Sequence, residues 1–321
     1  MHVLNGYDHV PANARGAVLA IGNFDGVHRG HQVLLGQAVS IGRSLKRPAG
    51  VMAFDPHPRE LFQPDHAFFR LTQPNDKLRL LRKMGLDLAV IVPFNKAFAS
   101  LTATEFIERV LVAGLGVRHV VIGYDFFFGK NRSGNPELMR RAGQEMGFGV
   151  TIVEPVAEDG EVFSSSAIRL LLAQGDVTAA AHELGHWWRV SGKVVGGAKR
   201  GTFIGFPTAN VPMPKGTGLG HGIYAVRVHL DGARHEGAAY LGTRPTFDDG
   251  KPVLEVFLFD FDADIYGRQI EVEFIEFIRP DRRFDNVEAL KAQMARDCEK
   301  AREVLAAVEQ DDPMKAFPLG A

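Results

Sequence analysis

The feature that most constrains the fold of this chain is a short apolar run, residues 17–21, followed at once by glycines at positions 22, 26 and 30. An unbroken apolar run of this length is typical of a parallel strand buried on both faces, and residues 32–42 are compatible with a helix. Strand, glycine turn and helix together predict the first unit of an α/β nucleotide-binding fold. The glycine spacing matches neither the dinucleotide-binding GxGxxG pattern nor the GxxxxGK[ST] P-loop.

Two histidines, His28 and His31, stand three residues apart at the predicted helix start. Residues at this spacing share one face of a helix, so both side chains can address an anion at its positive end, beside backbone N–H donors. We interpret them as donors to the charge that develops on an α-phosphate when pyrophosphate leaves. The alternatives are a capping histidine beside a solvated one, or a metal-binding pair. A zinc site needs three or four ligands, and no Cys or His cluster in the sequence supplies the others.

The composition narrows the function classes. A length of 321 residues predicts about two domains. A net charge of -1 gives no basic footprint for nucleic acid, so any bound nucleotide is expected to be a small molecule. We find no signal-like start and no apolar run of about 18 residues, which predicts a cytoplasmic protein without a membrane partner. Cys298 is the only cysteine, which excludes an intrachain disulfide.

Two loops follow predicted strands in the first half of the chain. Residues 49–54 form an apolar run that ends at Asp55-Pro-His57-Pro, where the two prolines predict an extended turn without helix. Ligands of parallel sheets bind at the carboxyl ends of the strands, so Asp55 and His57 are either ligand contacts or parts of a rigid turn. The run 119–123 leads into three consecutive aromatics, residues 126–128. Because side chains alternate along an extended chain, at least one of these rings is expected to meet a flat ligand.

A serine-rich segment closes the first half. Ser164, Ser165 and Ser166 precede an apolar periodic stretch, and Arg169 follows them. A serine can cap this helix, and the extra hydroxyls with the arginine predict a second anion site, suited to the β- and γ-phosphates of ATP.

Further strands are predicted at 88–93 and 149–154, and Thr102 with Glu105 predicts a capping box on a helix to about residue 113. This alternation predicts a parallel sheet with helices on both faces.

From residue 186 the pattern changes to strands without intervening helices, at 187–195, 223–230, 236–241, 253–259 and 270–278, followed by a helix at 287–308. Such spacing predicts a small antiparallel β-barrel with a C-terminal helix. We therefore place the domains at residues 1–185 and 186–321. The last residues, 310–321, are expected to be poorly ordered.

A second candidate site lies in this half. Residues 192–201 contain Gly192, Gly196, Gly197 and Gly201 together with Lys199 and Arg200, a composition that lets backbone N–H groups and charges approach phosphates. Thr208 and Asn210 are two apart, so in extended chain both point the same way and offer two hard oxygens to one cation. Mg²⁺ needs few protein ligands when ATP supplies the charge. Taken in isolation, the same residues could form a capped turn.

These motifs resemble one family. The sequence GNFDGVHRGH at residues 22–31 is similar to the HxGH signature of nucleotidylyltransferases, in the variant carried by bifunctional riboflavin kinase/FMN adenylyltransferases, the prokaryotic FAD synthetases. Residues 54–60, 123–134 and 164–169 resemble that family's FDPHPRE, GxDFxFGxxxxG and SSTxIR segments, with Ser166 in place of the usual threonine. The glycine loop, residues 207–210, 242–247 and 262–267, and Glu255 resemble a riboflavin kinase domain from about 188 to 306.

The resemblance implies a bifunctional enzyme that phosphorylates riboflavin to FMN and adenylylates FMN to FAD. ATP, riboflavin and FMN are the implied partners, with Mg²⁺ accompanying ATP and with FMN and FAD as substrate and product rather than prosthetic groups. It implies a catalytic base at Glu255, which the poorly nucleophilic alcohol of riboflavin needs. The implied flavin contacts are Asp55, His57, Asp125, Phe126, Phe128 and Arg132. The implied ATP and phosphate contacts are Gly22, Phe24, Gly30, Ser164, Ser165, Ser166, Arg169, Gly192, Lys199, Arg200 and Gly201.

The sequence departs from the family pattern at three places. Thr202 replaces a usual arginine, Tyr240 replaces a common asparagine, and His186-Trp187 replaces an Arg-Pro pair. Two other functions stay open at this point. One is a nucleotidylyltransferase with a different acceptor whose barrel only binds flavin, and the other is a flavin-binding sensor or storage protein without catalysis. The sequence leaves the oligomeric state open.

Overall fold

The computed structural model describes residues 1–158, 160–196, 206–243 and 252–316. Contacts between Cα atoms divide the chain into two compact units, Met1–Ser165 and Ser166–Ala321. In the described part of the chain, the helices are all too short or too polar to cross a membrane.

The first unit is built on a six-stranded sheet in the order β1-β4-β3-β2-β5-β6, with every neighbouring pair parallel. The strands are β1 His2–Asn5, β2 Val18–Ile21, β3 Ala49–Asp55, β4 Leu88–Pro93, β5 His119–Gly123 and β6 Gly149–Val153. The five strands predicted from apolar runs are confirmed. Strand β1 was not predicted, because its side chains are mostly exposed and it carries no apolar run.

The helices of this unit are α1 Arg29–Leu45, α2 Pro58–Phe62, α3 Pro74–Lys83, α4 Lys96–Ala99, α5 Ala103–Glu105 and α6 Pro136–Met146. Helix α5 continues directly as a π-helix, Phe106–Leu115, and a 3-10 turn spans Lys130–Arg132. A small antiparallel hairpin, β7 Ala157–Glu158 and β8 Glu161–Val162, follows β6 near the end of this unit.

Helices cover both faces of the sheet, as the sequence predicted. On one face α1 lies so close to β3 that a Cβ added at Gly42 would sit 2.9 Å from the Cβ of Ala49. Met52 points to the opposite face, where it joins a buried cluster with Val110 of the π-helix and Met139 of α6. The central strands are therefore apolar on both sides.

Of two predictions about helix starts in this unit, one is confirmed and the other is wrong. The capping box is confirmed, because Thr102 Oγ1 accepts from the Glu105 N–H at 3.2 Å and Glu105 Oε2 accepts from the Thr102 N–H at 2.9 Å. The prediction that the prolines after β3 forbid helix is wrong, since α2 begins at Pro58. Proline is well tolerated at the first helical position, where the missing N–H has no partner to lose.

The second unit is a nearly closed antiparallel barrel in the strand order β10-β13-β12-β11-β14-β9. The strands are β9 Arg189–Lys193, β10 Ala209–Pro212, β11 Gly222–Leu230, β12 Ala233–Thr243, β13 Pro252–Leu258 and β14 Gln269–Arg279. Beyond the end of β9, the Val195 N–H donates to the Asn210 carbonyl at 2.9 Å, which brings the first and last strands of this order together. The barrel and its C-terminal helix, α9 Val287–Gln310, are confirmed.

Helices α7 Ser165–Gln174 and α8 Val177–Leu184 precede the barrel. Helix α8 packs on β14, where Thr178 Oγ1 donates to the Ile275 carbonyl at 3.0 Å and Ala181 enters the same buried cluster as Leu305 of α9. The contact division at Ser165 therefore assigns both helices to the second unit. The domain boundary at residue 185 stays a prediction.

The tail of residues 310–321 was expected to be poorly ordered, but a buried ion pair holds its described part, up to residue 316. Residues 317–321 lie outside the described residues. Asp312 accepts from Arg227 at 2.9 Å and from the Trp187 indole N–H at 3.2 Å, and both charged side chains are buried. Met314, 1% exposed, completes the cluster between the barrel and α9. The sequence does not predict this contact of Asp312, because its partners Arg227 and Trp187 lie 85 and 125 residues away in the chain.

We expect Asp312→Ala to lower the free energy of unfolding of the second unit by about 3 kcal/mol, because it leaves the buried Arg227 guanidinium without its main partner. Both tryptophans of the chain, Trp187 and Trp188, lie in this unit, so urea denaturation followed by their fluorescence measures the change. Asp311→Ala, at the exposed neighbouring position, is the matched control. Equal midpoints for the two variants would contradict the prediction.

Candidate active sites

The first site lies where the strand order of the parallel sheet changes direction. Strand β2 is flanked by β3 and β5, so a crevice opens at its carboxyl end, the usual ligand position in such sheets. The loop of residues 22–28 fills this position and runs into α1. Its backbone takes unusual conformations, with positive φ values of 49° at Phe24 and 46° at Val27.

A buried carboxylate holds this loop in place. Asp25, 3% exposed, accepts hydrogen bonds from the backbone N–H groups of Leu71 and Thr72, each at 3.1 Å, and from the Thr72 hydroxyl at 3.2 Å. The Thr72 hydroxyl in turn accepts from the Gly26 N–H at 3.1 Å. Ser165 Oγ donates to the Asp25 carbonyl at 2.9 Å. These contacts fix the loop from two distant parts of the first unit.

The two histidines are brought together at the start of α1. The rings of His28 and His31 stack with centroids 3.6 Å apart, and the His31 ring lies 5.2 Å from that of Phe24. His28 is the residue that precedes α1, and Gly30 leaves room for it, since a Cβ at Gly30 would lie 3.2 Å from His28 Cε1. In the same way a Cβ at Gly22 would lie 3.3 Å from the Phe24 ring.

The site favours a neutral His31. Burial lowers the pKa of His31 well below 6.5, and the positive charges of His28 and Lys77 lower it further. A neutral imidazole keeps one N–H donor and one acceptor nitrogen. In the described part of the chain, Nδ1 of His31 is buried without a hydrogen-bond partner.

The serine segment spans the division between the two units. Ser165 is the first residue of α7 and ties the loop through Asp25, so its hydroxyl has a structural role in the first unit. Ser164 precedes the helix and is partly exposed, whereas Ser166 and Arg169 lie on the helix beyond the division between the units. The phosphate-binding role of the four residues stays a prediction.

The loop after β3 is held by an arginine that sequence reasoning missed. Arg70 donates to Asp55 at 2.9 Å and to both carboxylate oxygens of Glu60, which lowers the pKa of Glu60. His57 Nδ1 accepts from the Arg59 N–H at 3.2 Å and caps α2, while its ring stacks on Phe68 at 4.3 Å. The structure thus gives His57 a capping role, and its flavin contact stays a prediction.

The aromatic loop after β5 presents its three rings differently. Phe128 is 7% exposed and belongs to the core, whereas Phe127 is 47% exposed with the Arg132 guanidinium 5.1 Å from its ring centre. Phe126 is half-buried and stacks on Phe128 at 5.4 Å. Asp125 is exposed. Side-chain alternation predicted that at least one of the three rings would be free to meet a ligand. The most exposed ring is that of Phe127, which we did not assign to the flavin.

The second site follows from the register of the barrel strands. Asn210 on β10 lies opposite Glu255 on β13, and Glu255 lies opposite Tyr240 on β12, so the three share one face of the sheet. Thr208 Oγ1 donates to Glu255 Oε2 at 3.5 Å. Tyr240 bonds Asp281 at 3.1 Å. The predicted base and the predicted cation ligands are thus neighbours.

A cleft of about 340 Å³ opens beside Thr208. Its walls include Val194, Pro207 and the loop of residues 261–266, with Asp262 and Asp264. Gly192 lies on β9, where a Cβ would meet Val211 at 2.4 Å, so packing alone requires a glycine there. Lys199, Arg200, Gly201 and Thr202 lie outside the described residues.

The side-chain oxygens of Thr208 and Asn210 are of the kind that suits a hard cation. Asn210 is buried and donates through Nδ2 to the Thr208 carbonyl at 3.4 Å, which leaves its Oδ1 without a hydrogen bond among the described residues. Hydroxyl and amide oxygens suit Mg²⁺, which keeps water and phosphate oxygens for its remaining positions. Elsewhere in the described ranges, no group of three or more His, Cys, Asp or Glu side chains is arranged to bind a metal ion.

Comparison with known proteins gives the family of each half of the chain. An FAD synthetase family model matches residues 10–167, and a riboflavin kinase family model matches residues 184–305. The chain is 45% identical over 293 residues to the bifunctional riboflavin kinase/FMN adenylyltransferase of Escherichia coli (strain K12), covering 91% of this chain and 94% of that protein. The chain belongs to the bifunctional riboflavin kinase/FMN adenylyltransferase family.

Two further relatives extend the likeness across the chain. The family member of Bacillus subtilis (strain 168) is 35% identical over 306 residues, covering 94% of this chain and 96% of that protein. A crystal structure from Streptococcus pneumoniae, described as a macrolide-efflux protein, has a TM-score of 0.84 at 31% identity and covers 94% of this chain and 98% of that chain. The fold of the family is therefore shared over nearly the whole length.

We expect the Cε1–H signal of His31 to titrate well below pH 6.5 in an NMR pH series, because protonation must occur in a buried site beside two positive groups. The unfolded chain protonates this ring near 6.5, so its contribution to stability is complete above that pH and is lost as the pH falls toward the folded pKa. His28→Asn removes one of the charges, places a favoured residue at the helix N-cap and should raise the His31 pKa. A His31 that titrates at or above 6.5 would exclude this electrostatic description.

Proposed function

We propose that this chain converts riboflavin to FAD in two steps, with riboflavin phosphorylation in the barrel unit and FMN adenylylation in the parallel-sheet unit. The observation that carries the proposal is that both constellations occur in one chain: the stacked His28 and His31 at the end of β2, and Glu255 beside Thr208 and Asn210 in the barrel. A flavin sensor or storage protein would need neither a base nor an oxyanion site.

In the adenylylation step, an oxygen of the FMN phosphate attacks the α-phosphorus of ATP while the bond to the bridging oxygen of the β-phosphate breaks. Pyrophosphate leaves with the bonding electron pair. His28 and His31 donate hydrogen bonds to the charge that grows on the α-phosphate oxygens. The FMN phosphate is already largely ionised, with a second pKa of about 6, so this step needs no general base.

In the kinase step, Glu255 takes the proton of the primary hydroxyl of riboflavin as its oxygen attacks the γ-phosphorus of ATP, and ADP leaves. The position of Glu255 within hydrogen-bond range of Thr208 and opposite Asn210 supports this role. Thr208 and Asn210 would hold Mg²⁺, which neutralises phosphate charge when bound. Gly192, Lys199, Arg200 and Gly201 are proposed to line the ATP phosphates.

The remaining assignments complete the first site. We assign its phosphate contacts to Gly22, Phe24, Gly30, Ser164, Ser165, Ser166 and Arg169. We assign its flavin contacts to Asp55, His57, Asp125, Phe126, Phe128 and Arg132. Incubation of the protein with riboflavin, ATP and Mg²⁺, followed by chromatography of the flavins, tests the whole proposal. Recovery of riboflavin unchanged would refute it, and accumulation of FMN alone would refute the adenylylation half.

We expect His28→Ala and His31→Ala each to slow FAD formation from supplied FMN by about 10²–10³-fold, because each removes a donor to the transition state. The affinity for ATP should change little, since the charge that these rings meet is absent from the ground state. Initial rates over an ATP series separate the two constants. His66→Ala, at an exposed position, is the control. A single variant with a wild-type rate would remove that histidine from the mechanism.

We expect Glu255→Gln to slow FMN formation from riboflavin by roughly 10²–10⁴-fold, since an amide of the same size cannot accept the proton. Supplied FMN should still become FAD at close to the normal rate, because that step uses the other unit. Glu276→Gln, an exposed position on β14, serves as the control. Loss of FAD formation from supplied FMN in Glu255→Gln, or a normal kinase rate, would show that the division of labour is wrong.

A further inference from the structure

Lys77 reaches from α3 to the loop that carries the two histidines. Its Nζ donates one hydrogen bond to the carbonyl of Asn23, at 2.8 Å. An ammonium group has three donors. Among the described residues, this is the one hydrogen bond that Lys77 makes, and it forms no ion pair with a described carboxylate.

The carboxylates around Lys77 are committed to other groups. Asp55 and Glu60 bind Arg70, and Asp25 accepts from the backbone of Leu71 and Thr72. Burial lowers the pKa of Lys77, and the negative charges of Asp25, Asp55 and Glu60 oppose that shift. A cation with spare donors, partly buried and close to acids that are already paired, is suited to an anionic ligand.

Lys77 also lies close enough to His31 for its charge to act on that ring. The hydrogen bond to the Asn23 carbonyl also places the ammonium group beside the loop that leads to His28 and the positive end of α1. A nucleoside triphosphate brought there carries its negative charge on the β- and γ-phosphates, and this charge grows on the leaving pyrophosphate.

We propose that Lys77 is a further substrate-binding residue of the first site and that its ammonium group binds the β- and γ-phosphates of ATP and stabilises the departing pyrophosphate. This inference rests on the proposed adenylylation of FMN. It assigns to the pyrophosphate portion a group distinct from the histidines, which act at the α-phosphate.

The test compares Lys77→Met, Lys77→Arg and the control Lys83→Met, an exposed position on the same helix. In FMN adenylylation, we expect Lys77→Met to lower kcat/KM for ATP by about 10²-fold, and Lys77→Arg, which keeps the charge, to recover most of it. Lys83→Met should match the wild type. Far-UV circular dichroism and the thermal unfolding midpoint of each preparation show whether the first unit is folded, because riboflavin kinase activity reports on the other unit.

Inhibition constants separate a charge contact from a displaced loop. Lys77→Met should weaken inhibition by inorganic pyrophosphate and leave inhibition by AMP, which lacks the β- and γ-phosphates, unchanged. Equal weakening for both inhibitors, or adenylylation within threefold of the wild type, would overturn the inference. If Lys77→Met does not fold, Lys77→Gln, an uncharged amide, is assayed in the same way. A wild-type protein that makes no FAD would refute the proposed function itself, which is a different result.

Discussion

The first unit depends on the buried carboxylate of Asp25. The loop after β2 places Phe24 and Val27 at positive φ, a conformation that costs about 1–3 kcal/mol for each such residue. Asp25 accepts hydrogen bonds from the backbone of Leu71 and Thr72 and from the Thr72 hydroxyl, and a bond to a charged acceptor contributes about 1.5–3 kcal/mol. These contacts are large enough to offset the strain, and they place His28 immediately before α1.

The second unit depends instead on strand register. Side chains on paired strands alternate between two faces, so a slip of one residue between β10 and β13 would turn Asn210 away from Glu255. The register is supported on the other side of β13 by Tyr240, whose hydroxyl lies where a Cβ at position 242 would be, only 1.9 Å away. Gly242 therefore accommodates the ring that replaces the asparagine common in the family. The departure from the family pattern at position 240 is thus accommodated by a glycine two residues further along the same strand.

Local patterns in the sequence were enough to predict the two fold classes, whereas the two chemistries came from the resemblance of the motifs to one family. Apolar runs marked β2 through β5, because those strands are largely buried on both faces, and marked β6, a half-buried edge strand. The short spacing of strands marked the barrel. Contacts between distant residues were beyond such patterns. Asp25 meets Thr72 across 47 residues and Lys77 meets Asn23 across 54, and neither partner is marked by periodicity. In the aromatic loop, alternation predicted that the rings would point in different directions. Which ring enters the core depends on the contact of Phe128 with Phe106, a residue of the π-helix.

The roles proposed for the two sites follow from what each proposed nucleophile requires. A phosphate oxygen is already ionised near neutral pH, so a base in the first site would add little. A buried imidazole whose pKa is lowered is a weak base but retains its N–H donor, as His31 does beside His28 and Lys77. An alcohol is the opposite case, because its proton must leave as the new bond forms. The barrel accordingly keeps a carboxylate, Glu255, opposite Asn210 and within hydrogen-bond range of the Thr208 hydroxyl. The proposed roles of the two sites thus call for different groups, an N–H donor in the first and a proton acceptor in the second.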